Sequence, residues 1–206
     1  MNVEIWVGGS CDQDATKKQH AGGWSATIIA GEIVKDKYTI SGSSKNTTTY
    51  RMKITAALEG LIQALINYGD GEVDIVIYTD HIYFVNAFNE GWVDKWMELG
   101  RYKGILMRSG HDLKTGSRVV ENSDLWWCLI YLVKKFDVKF KYVPTGSDER
   151  LVKAHELATE EMRTTRNLLG MTSEPSELKN GKAKKSRALK EGRLSYTTLL
   201  ERKLKK

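Results

Sequence analysis

The chain has 206 residues, of which 41% are hydrophobic and 28% are charged, a composition typical of one globular domain with an appendage. No stretch approaches the roughly 18 consecutive apolar residues of a membrane span, and the N-terminal NVEIWVGG lacks the basic and apolar regions of a secretory signal. Cys11 and Cys128 lie far apart without metal-ligand spacing, so we expect a reducing, cytoplasmic (intracellular) location.

The formal net charge of +6 is concentrated near the C-terminal end. Residues 171–206 contain 11 Lys/Arg and 4 Asp/Glu, a net charge of +7, whereas residues 1–170 contain 21 Lys/Arg and 22 Asp/Glu, a net charge of −1. We therefore predict a domain over residues 1–169 and a basic linker and tail over 170–206, partly helical or disordered. Such tails bind nucleic acid, anionic membranes or acidic proteins, or only solubilise the chain, and eleven basic residues favour nucleic acid.

The first half of the chain predicts three strands, a helix and a further strand. VEIWVGGSC is a β-branched run that stops at a turn, and AGGWSATIIAGEIVKDKYTISG alternates through two strands joined tightly at AGE. NTTTYRMKITAALEGLIQALINYG is a helix with threonine caps that ends at Gly69. EVDIVIYTD is a buried strand closed by Asp80.

The second half predicts helices around one short strand. HIYFVNAF begins a helix, and residues 92–122 are rich first in tryptophan and then in polar and basic residues. SDLWWCLIYLVKKF is a helix with Ser123 as its N-cap. VKFKYVP is an alternating strand, and DERLVKAHELATEEMRTTRNLL is a long final helix. This order, βββαβαα(α)βα, indicates an α/β fold with a mixed sheet and helices on its faces.

Six of these segments resemble, in the same order, the type 1 ribonuclease H family over about residues 3–165. They are VGGSC, AGGWSATI, TTTYRMKITAALEGL, YTDHIYFV, SDLWWCL and AHELA. The resemblance implies a ribonuclease H-like five-stranded mixed sheet, with three antiparallel meander strands followed by two parallel strands. It also implies cleavage of the RNA strand of RNA–DNA hybrids by two Mg²⁺ ions that four acidic side chains hold.

Three of those four acidic positions are replaced in this chain. The resemblance carries the sites onto Gly8, Lys53, Asp80 and His155, so that only Asp80 is acidic. Mg²⁺ prefers oxygen ligands in near-octahedral geometry, whereas glycine offers no side chain, histidine offers nitrogen and lysine repels the cation. We therefore predict a Lys53–Asp80 ion pair, no cofactor, and a catalytically degenerate member of the family.

Other interpretations of these residues remain open. Lys53 could be a solvated lysine, and Asp80 could cap the helix that begins at His81. A lone histidine such as His155 is more often packed or exposed than a metal ligand. Replacement ligands for a rebuilt site would have to come from Asp12, Asp14, Glu59 and Glu156.

In residues 92–122, basic residues interleaved with aromatic ones predict contact with the phosphates and sugars of a nucleic acid. The alternative for the segment after residue 92 is a solvated loop whose tryptophans pack on the core. Relatives commonly have asparagines where this chain has Thr49 and Tyr50. The nucleic-acid-binding candidates are Thr49, Tyr50, Arg51, Lys95, Trp96, Arg101, Lys103, Lys184, Lys185 and Arg187.

Three functions are compatible with this sequence. The first is a nucleic-acid-associated accessory protein on an inactive domain, with an RNA–DNA hybrid or duplex as its partner. The second is a metal-dependent ribonuclease H with an unusual Mg²⁺ site. The third is a scaffold that binds a protein partner.

Truncation after Gly170 should leave the domain folded and weaken binding to nucleic acid of every sequence. If some five basic tail residues contact phosphates, the logarithm of affinity should fall with the logarithm of salt concentration with a slope of about −4 to −5. Salt titrations of the full-length and truncated proteins by fluorescence anisotropy measure this slope. Equal affinity and slope for the two proteins would show that the tail makes no such contacts.

Overall fold

The computed structural model describes residues 1–12, 20–31, 36–69, 72–98 and 120–170. In these ranges the chain forms one five-stranded sheet with helices packed on it. The strands are β1 (Asn2–Cys11), β2 (Ala21–Ala30), β3 (Asp36–Lys45), β4 (Asp74–Thr79) and β5 (Lys139–Tyr142). The helices are α1 (Thr49–Tyr68), α2 (Ile82–Asn89), α3 (Trp92–Glu98), α4 (Ser123–Phe136) and α5 (Glu149–Leu168).

The sheet has the strand order β3-β2-β1-β4-β5. β1 pairs antiparallel with β2 and β2 pairs antiparallel with β3, whereas β4 is parallel to both β1 and β5. The predicted sheet, a three-stranded meander followed by two parallel strands, is therefore confirmed. β1 lies at its centre, between β2 and β4.

Alternation along β1 separates the two faces of the sheet. Val3, Ile5 and Val7 belong to the main core, which also contains most of the buried apolar residues of α1 and the buried residues of α4. Trp6 points to the opposite face and packs with Leu151 of α5. Gly8 shares the face of Trp6 because the side-chain period of a strand is two residues.

Helix α5 comes unusually close to the sheet because glycines lie beneath it. A Cβ atom built on Gly8 would lie 2.3 Å from the carbonyl oxygen of Ala154, and one on Gly23 would lie 2.0 Å from that of Ala158. The buried Ser25 hydroxyl donates to the Ala154 carbonyl oxygen at 2.6 Å. Backbone therefore packs on backbone along this side of the sheet.

The first helix begins as the sequence predicts, since Thr48 is its N-cap and accepts from the Arg51 amide. The predicted Ser123 cap is wrong, because α4 starts at Ser123 and its N-cap position is Asn122, in the left-handed region at φ 58°. The predicted tight connection at AGE is also wrong. β2 ends at Ala30 and β3 begins only at Asp36, so the connection is longer than a two-residue turn.

The described helices include none that is both long and apolar enough to cross a bilayer. α5 ends at Leu168, and the tail from residue 171 onward lies outside the described residues. The predicted domain boundary after residue 169 therefore stays a prediction.

Replacing Gly8 by alanine should destabilise the protein. Without a clash, alanine in a strand would stabilise the fold by about 0.5–1 kcal/mol relative to glycine. Here the new methyl group meets the backbone of Ala154, so overpacking should cost about 1–3 kcal/mol instead. Urea unfolding of wild type and Gly8→Ala gives the sign, and a stabilised variant would contradict the close approach of α5.

Candidate functional site

Four elements bring the positions singled out in the sequence together at one edge of the sheet. Asp80 directly follows β4, and Gly8 lies near the carboxyl end of β1, the parallel neighbour of β4. Lys53 projects from α1 and His155 from α5, the helices on the two faces of the sheet. The site thus forms where the carboxyl ends of parallel strands meet, as is common for ligand sites in α/β sheets.

Asp80 is the centre of the site. Its Oδ1 atom lies 2.6 Å from Lys53 Nζ, so the predicted ion pair is confirmed. Its Oδ2 atom lies 3.0 Å from His155 Nε2 and accepts from the Thr145 hydroxyl at 3.0 Å. Both carboxylate oxygens therefore have protein partners. We call these four residues the Asp80 cluster.

The Lys53–Asp80 pair is shielded from solvent. The exposed fractions of the two side chains are 9% and 7%, whereas His155 is 24% exposed. His155 borders a cleft of about 360 Å³ that Thr145, Glu156 and Arg163 also line. Solvent and ligands therefore reach the Asp80 cluster from the His155 side.

The surroundings keep Asp80 ionised. Burial by itself would raise its pKa, but the hydrogen bonds and charges of His155 and Lys53 outweigh burial and hold the pKa well below its ordinary value. Since the folded-state pKa is lowered, the ionised carboxylate stabilises the fold above the ordinary aspartate pKa. That stabilisation is lost as the pH falls toward the lowered value.

The donor set does not fit the Mg²⁺ pair that the resemblance implies. Asp80 supplies the one carboxylate of the Asp80 cluster, and the Lys53 ammonium already contacts it. At Gly8 a carboxylate side chain would collide with the backbone of Ala154. Among the described residues, no group of three or more His, Cys, Asp or Glu side chains is placed to hold a metal ion.

Among the described residues, the replacement ligands considered in the sequence lie outside the Asp80 cluster. Asp12 lies 3.5 Å from Arg166, and Glu156 lines the cleft beside His155. Asp14 lies outside the described residues. Glu59 is six residues beyond Lys53 on α1, which turns it about 600° around the helix axis, to another side.

Two interpretations of the site residues prove wrong. Lys53 is not a solvated side chain, because it is buried against Asp80. Asp80 is not the cap of α2, since His81 is the N-cap and its Nδ1 accepts from the Phe84 amide at 3.3 Å. A histidine ring can replace an aspartate in this role because Nδ1 lies near its own backbone.

The candidates for nucleic-acid contact divide into engaged and exposed residues. The Arg51 guanidinium is paired with Asp124 and also donates to Asn122 at 3.2 Å. Trp96 packs edge-on against Trp126, as in the alternative in which tryptophans pack on the core, whereas Lys95 is exposed.

The other aromatic candidate, Tyr50, is half-buried, and burial raises its pKa to about 12. Thr49 is the first residue of α1. The remaining candidates, Arg101, Lys103, Lys184, Lys185 and Arg187, lie outside the described residues and stay predictions.

Three contributors were missed in the sequence. Thr145 comes from the loop PTGSDER, in which the resemblance drew attention only to a missing histidine. His81 stacks on Tyr50 with ring centroids 4.6 Å apart, and Asp124 holds Arg51 across 73 positions of sequence. His81 could have been noticed as the residue next to Asp80, but nothing local signals the other two.

Comparison with known proteins finds matches over most of this chain. Residues 1–163 match the family model described as RNase H. A ribonuclease H of Caldanaerobacter subterraneus subsp. tengcongensis is 35% identical over 162 residues, which are 78% of this chain and 91% of the relative. A ribonuclease H of Chlorobium chlorochromatii is 34% identical over 165 residues, 79% of this chain and 97% of the relative.

Solved structures agree at the level of fold. LC9-RNase H1, described as a type 1 RNase H with the type 2 active-site motif, has a TM-score of 0.62 at 20% identity. The match covers 79% of this chain and 72% of that chain.

Removing Lys53 alone should cost more stability than removing the whole ion pair. Lys53→Met leaves a buried carboxylate short of its main cation, which costs about 3 kcal/mol, whereas Lys53→Met/Asp80→Asn leaves no net charge behind. Urea unfolding at neutral pH compares the variants. Lys134→Met is the matched control, since the Lys134–Asp94 pair is half exposed and should contribute little. A single variant as stable as the double would contradict the importance of pairing.

Proposed function

This chain belongs to the ribonuclease H family, and we propose that it binds nucleic acid without cleaving it, as an accessory protein. The observation that carries this proposal is the Lys53 ammonium, 2.6 Å from the one family carboxylate that remains. A protein cation takes the place of the metal charge, and it cannot perform the metal's chemistry.

The absence of cleavage follows from what each group can do. Two-metal hydrolysis requires one ion to activate water and another to stabilise the leaving oxygen. Lys53 and His155 can neutralise or hydrogen-bond an anion, but both are already directed at Asp80. These partners keep Asp80 ionised and occupy its two oxygens, which are then not available to coordinate a metal ion. The Asp80 cluster therefore suits a structural role without hydrolysis.

Binding of nucleic acid is supported by a solved structure of similar fold and by the positive charge of this chain. A foamy viral protease-reverse transcriptase with the same fold is described in complex with an RNA/DNA hybrid, with a TM-score of 0.60 at 18% identity. That match covers 79% of this chain and 20% of that chain. In this chain, the exposed Lys95 and the tail with its net charge of +7 supply the positive charge that phosphates require.

A scaffold function is the second candidate, and one surface favours it. Met97 of α3 and three residues of α4, Trp127, Ile130 and Tyr131, line a groove of about 360 Å³. Met97, Trp127 and Tyr131 are 39%, 40% and 57% exposed. Exposed apolar side chains that adjoin one another mark protein-interaction sites more often than isolated ones do.

The purified protein should not cut an RNA–DNA hybrid in Mg²⁺ or in Mn²⁺. Three of the four family carboxylates are replaced, and the Lys53 ammonium balances the charge of the fourth, Asp80. A labelled hybrid resolved on a denaturing gel measures cleavage, with the Caldanaerobacter ribonuclease H as a positive control. Cleavage that Asp80→Asn abolishes would identify a working ribonuclease with an unusual metal site. Cleavage that survives this substitution would indicate a contaminating nuclease.

The binding half of the proposal is tested separately. Gel shifts of the uncleaved probes, with matched DNA duplex, RNA duplex, hybrid and single strands, should show at least one complex at low salt. Binding to none of them would overturn the proposal and favour the scaffold function.

A further inference from the structure

An aromatic row crosses the surface beside the Asp80 cluster. Tyr50 stacks on His81 with an interplanar angle of 19°. His81 is followed by Tyr83 at a centroid distance of 6.1 Å, and Tyr83 by Trp92 at 6.4 Å. The row therefore consists of Tyr50, His81, Tyr83 and Trp92, drawn from the beginnings of three helices.

Three members of the row are fixed from behind. Tyr50 and Trp92 are partly buried and pack against the main core. His81 is held by its hydrogen bond from the Phe84 amide. Tyr83 is the exposed member, with 65% of its surface accessible to solvent. The row is thus a set of neighbouring rings in which Tyr83 is the ring most exposed to solvent.

The row is uncharged near neutral pH. Burial lowers the pKa of His81, and the neighbouring Lys53 charge lowers it further, so its ring is neutral. The charge that attracts phosphate must come from elsewhere. Lys95 is exposed and lies three residues after Trp92 on α3, which places it on the same side of that helix.

We propose that the aromatic row is a stacking platform for unpaired bases, and that the nucleic acid this protein prefers is a single strand. Aromatic rings stack on the faces of bases, which are free in single strands but covered by neighbouring pairs in a duplex. A nearby cation that contacts the backbone completes such a site. This inference rests on the proposed function, because it names the class of nucleic acid that the domain binds.

Two features of the row favour single strands over a hybrid. Tyr50 occupies a position where relatives commonly have an asparagine, and its phenol is half-buried and un-ionised. It therefore presents a ring where an amide would donate and accept hydrogen bonds. His81 stacks flat on that ring, which leaves its own imidazole committed to the row and to the α2 cap.

The test compares one set of strands in different pairing states. Labelled single-stranded DNA, the matching RNA, and the hybrid and DNA duplex made from them are titrated with full-length protein by fluorescence anisotropy at one fixed salt concentration. Wild type should bind the single strands more tightly than the hybrid. Tyr83→Ala should weaken single-strand binding roughly 5- to 150-fold, the range for loss of one base–aromatic stack, and change hybrid binding little.

Two further variants separate stacking from other effects. Tyr83→Trp should retain single-strand binding, because it keeps a large ring at this position. Tyr131→Ala removes a tyrosine that is 57% exposed on α4, outside the row, and should leave affinity unchanged. Thermal unfolding midpoints check that each variant is folded.

The outcomes distinguish this inference from the function on which it rests. A hybrid bound as tightly as the single strands, or a Tyr83→Ala variant that binds like Tyr131→Ala, overturns the stacking platform and leaves nucleic-acid binding intact. Binding to none of the four probes overturns both. Preference for single strands that is lost in Tyr83→Ala and kept in Tyr83→Trp supports the platform.

Discussion

The contact between the Lys53 ammonium and the Asp80 carboxylate determines what this site can be. Both groups are almost wholly removed from solvent, and either would be costly to bury alone. The pair joins the second turn of α1 to the residue that follows β4. His155 and Thr145 add hydrogen bonds from α5 and from the loop before it. One carboxylate thus connects α1, β4, α5 and the loop before α5, and both of its oxygens have protein partners.

The close packing of α5 adds a second constraint, which acts through the backbone. Gly8 and Gly23 let the carbonyl groups of Ala154 and Ala158 approach the sheet to distances that no side chain would allow. A carboxylate at position 8 therefore requires a different placement of α5. The packing of α5 on Gly8 and the Lys53–Asp80 contact therefore constrain the same part of the sheet, one through the backbone and the other through side chains.

Under the proposed function, these two constraints leave this part of the ribonuclease H fold to bind nucleic acid. His155 and Thr145 of the Asp80 cluster line a cleft, and His81 of the aromatic row directly follows Asp80. The neutral His81 and Tyr50 rings and the exposed Tyr83 replace hydrogen-bonding readout by stacking. The positive charge that would retain a polyanion is found mainly in the segment after residue 170, which carries a net charge of +7. Base stacking and most of the electrostatic attraction would then come from different parts of the chain.

The sequence by itself determined the order of the elements, the mixed sheet and the Lys53–Asp80 pair. Strand alternation and helix periodicity are local, and the pair followed from opposite charges at positions that the resemblance placed at one edge. Tertiary structure alone decided the partners Thr145 and Asp124, the stack of His81 on Tyr50, and the approach of α5 to Gly8. Each of these joins residues far apart in the chain, and their distances depend on how helices settle on the sheet. Local patterns fix which face a residue occupies, whereas only packing fixes which distant residue lies opposite it.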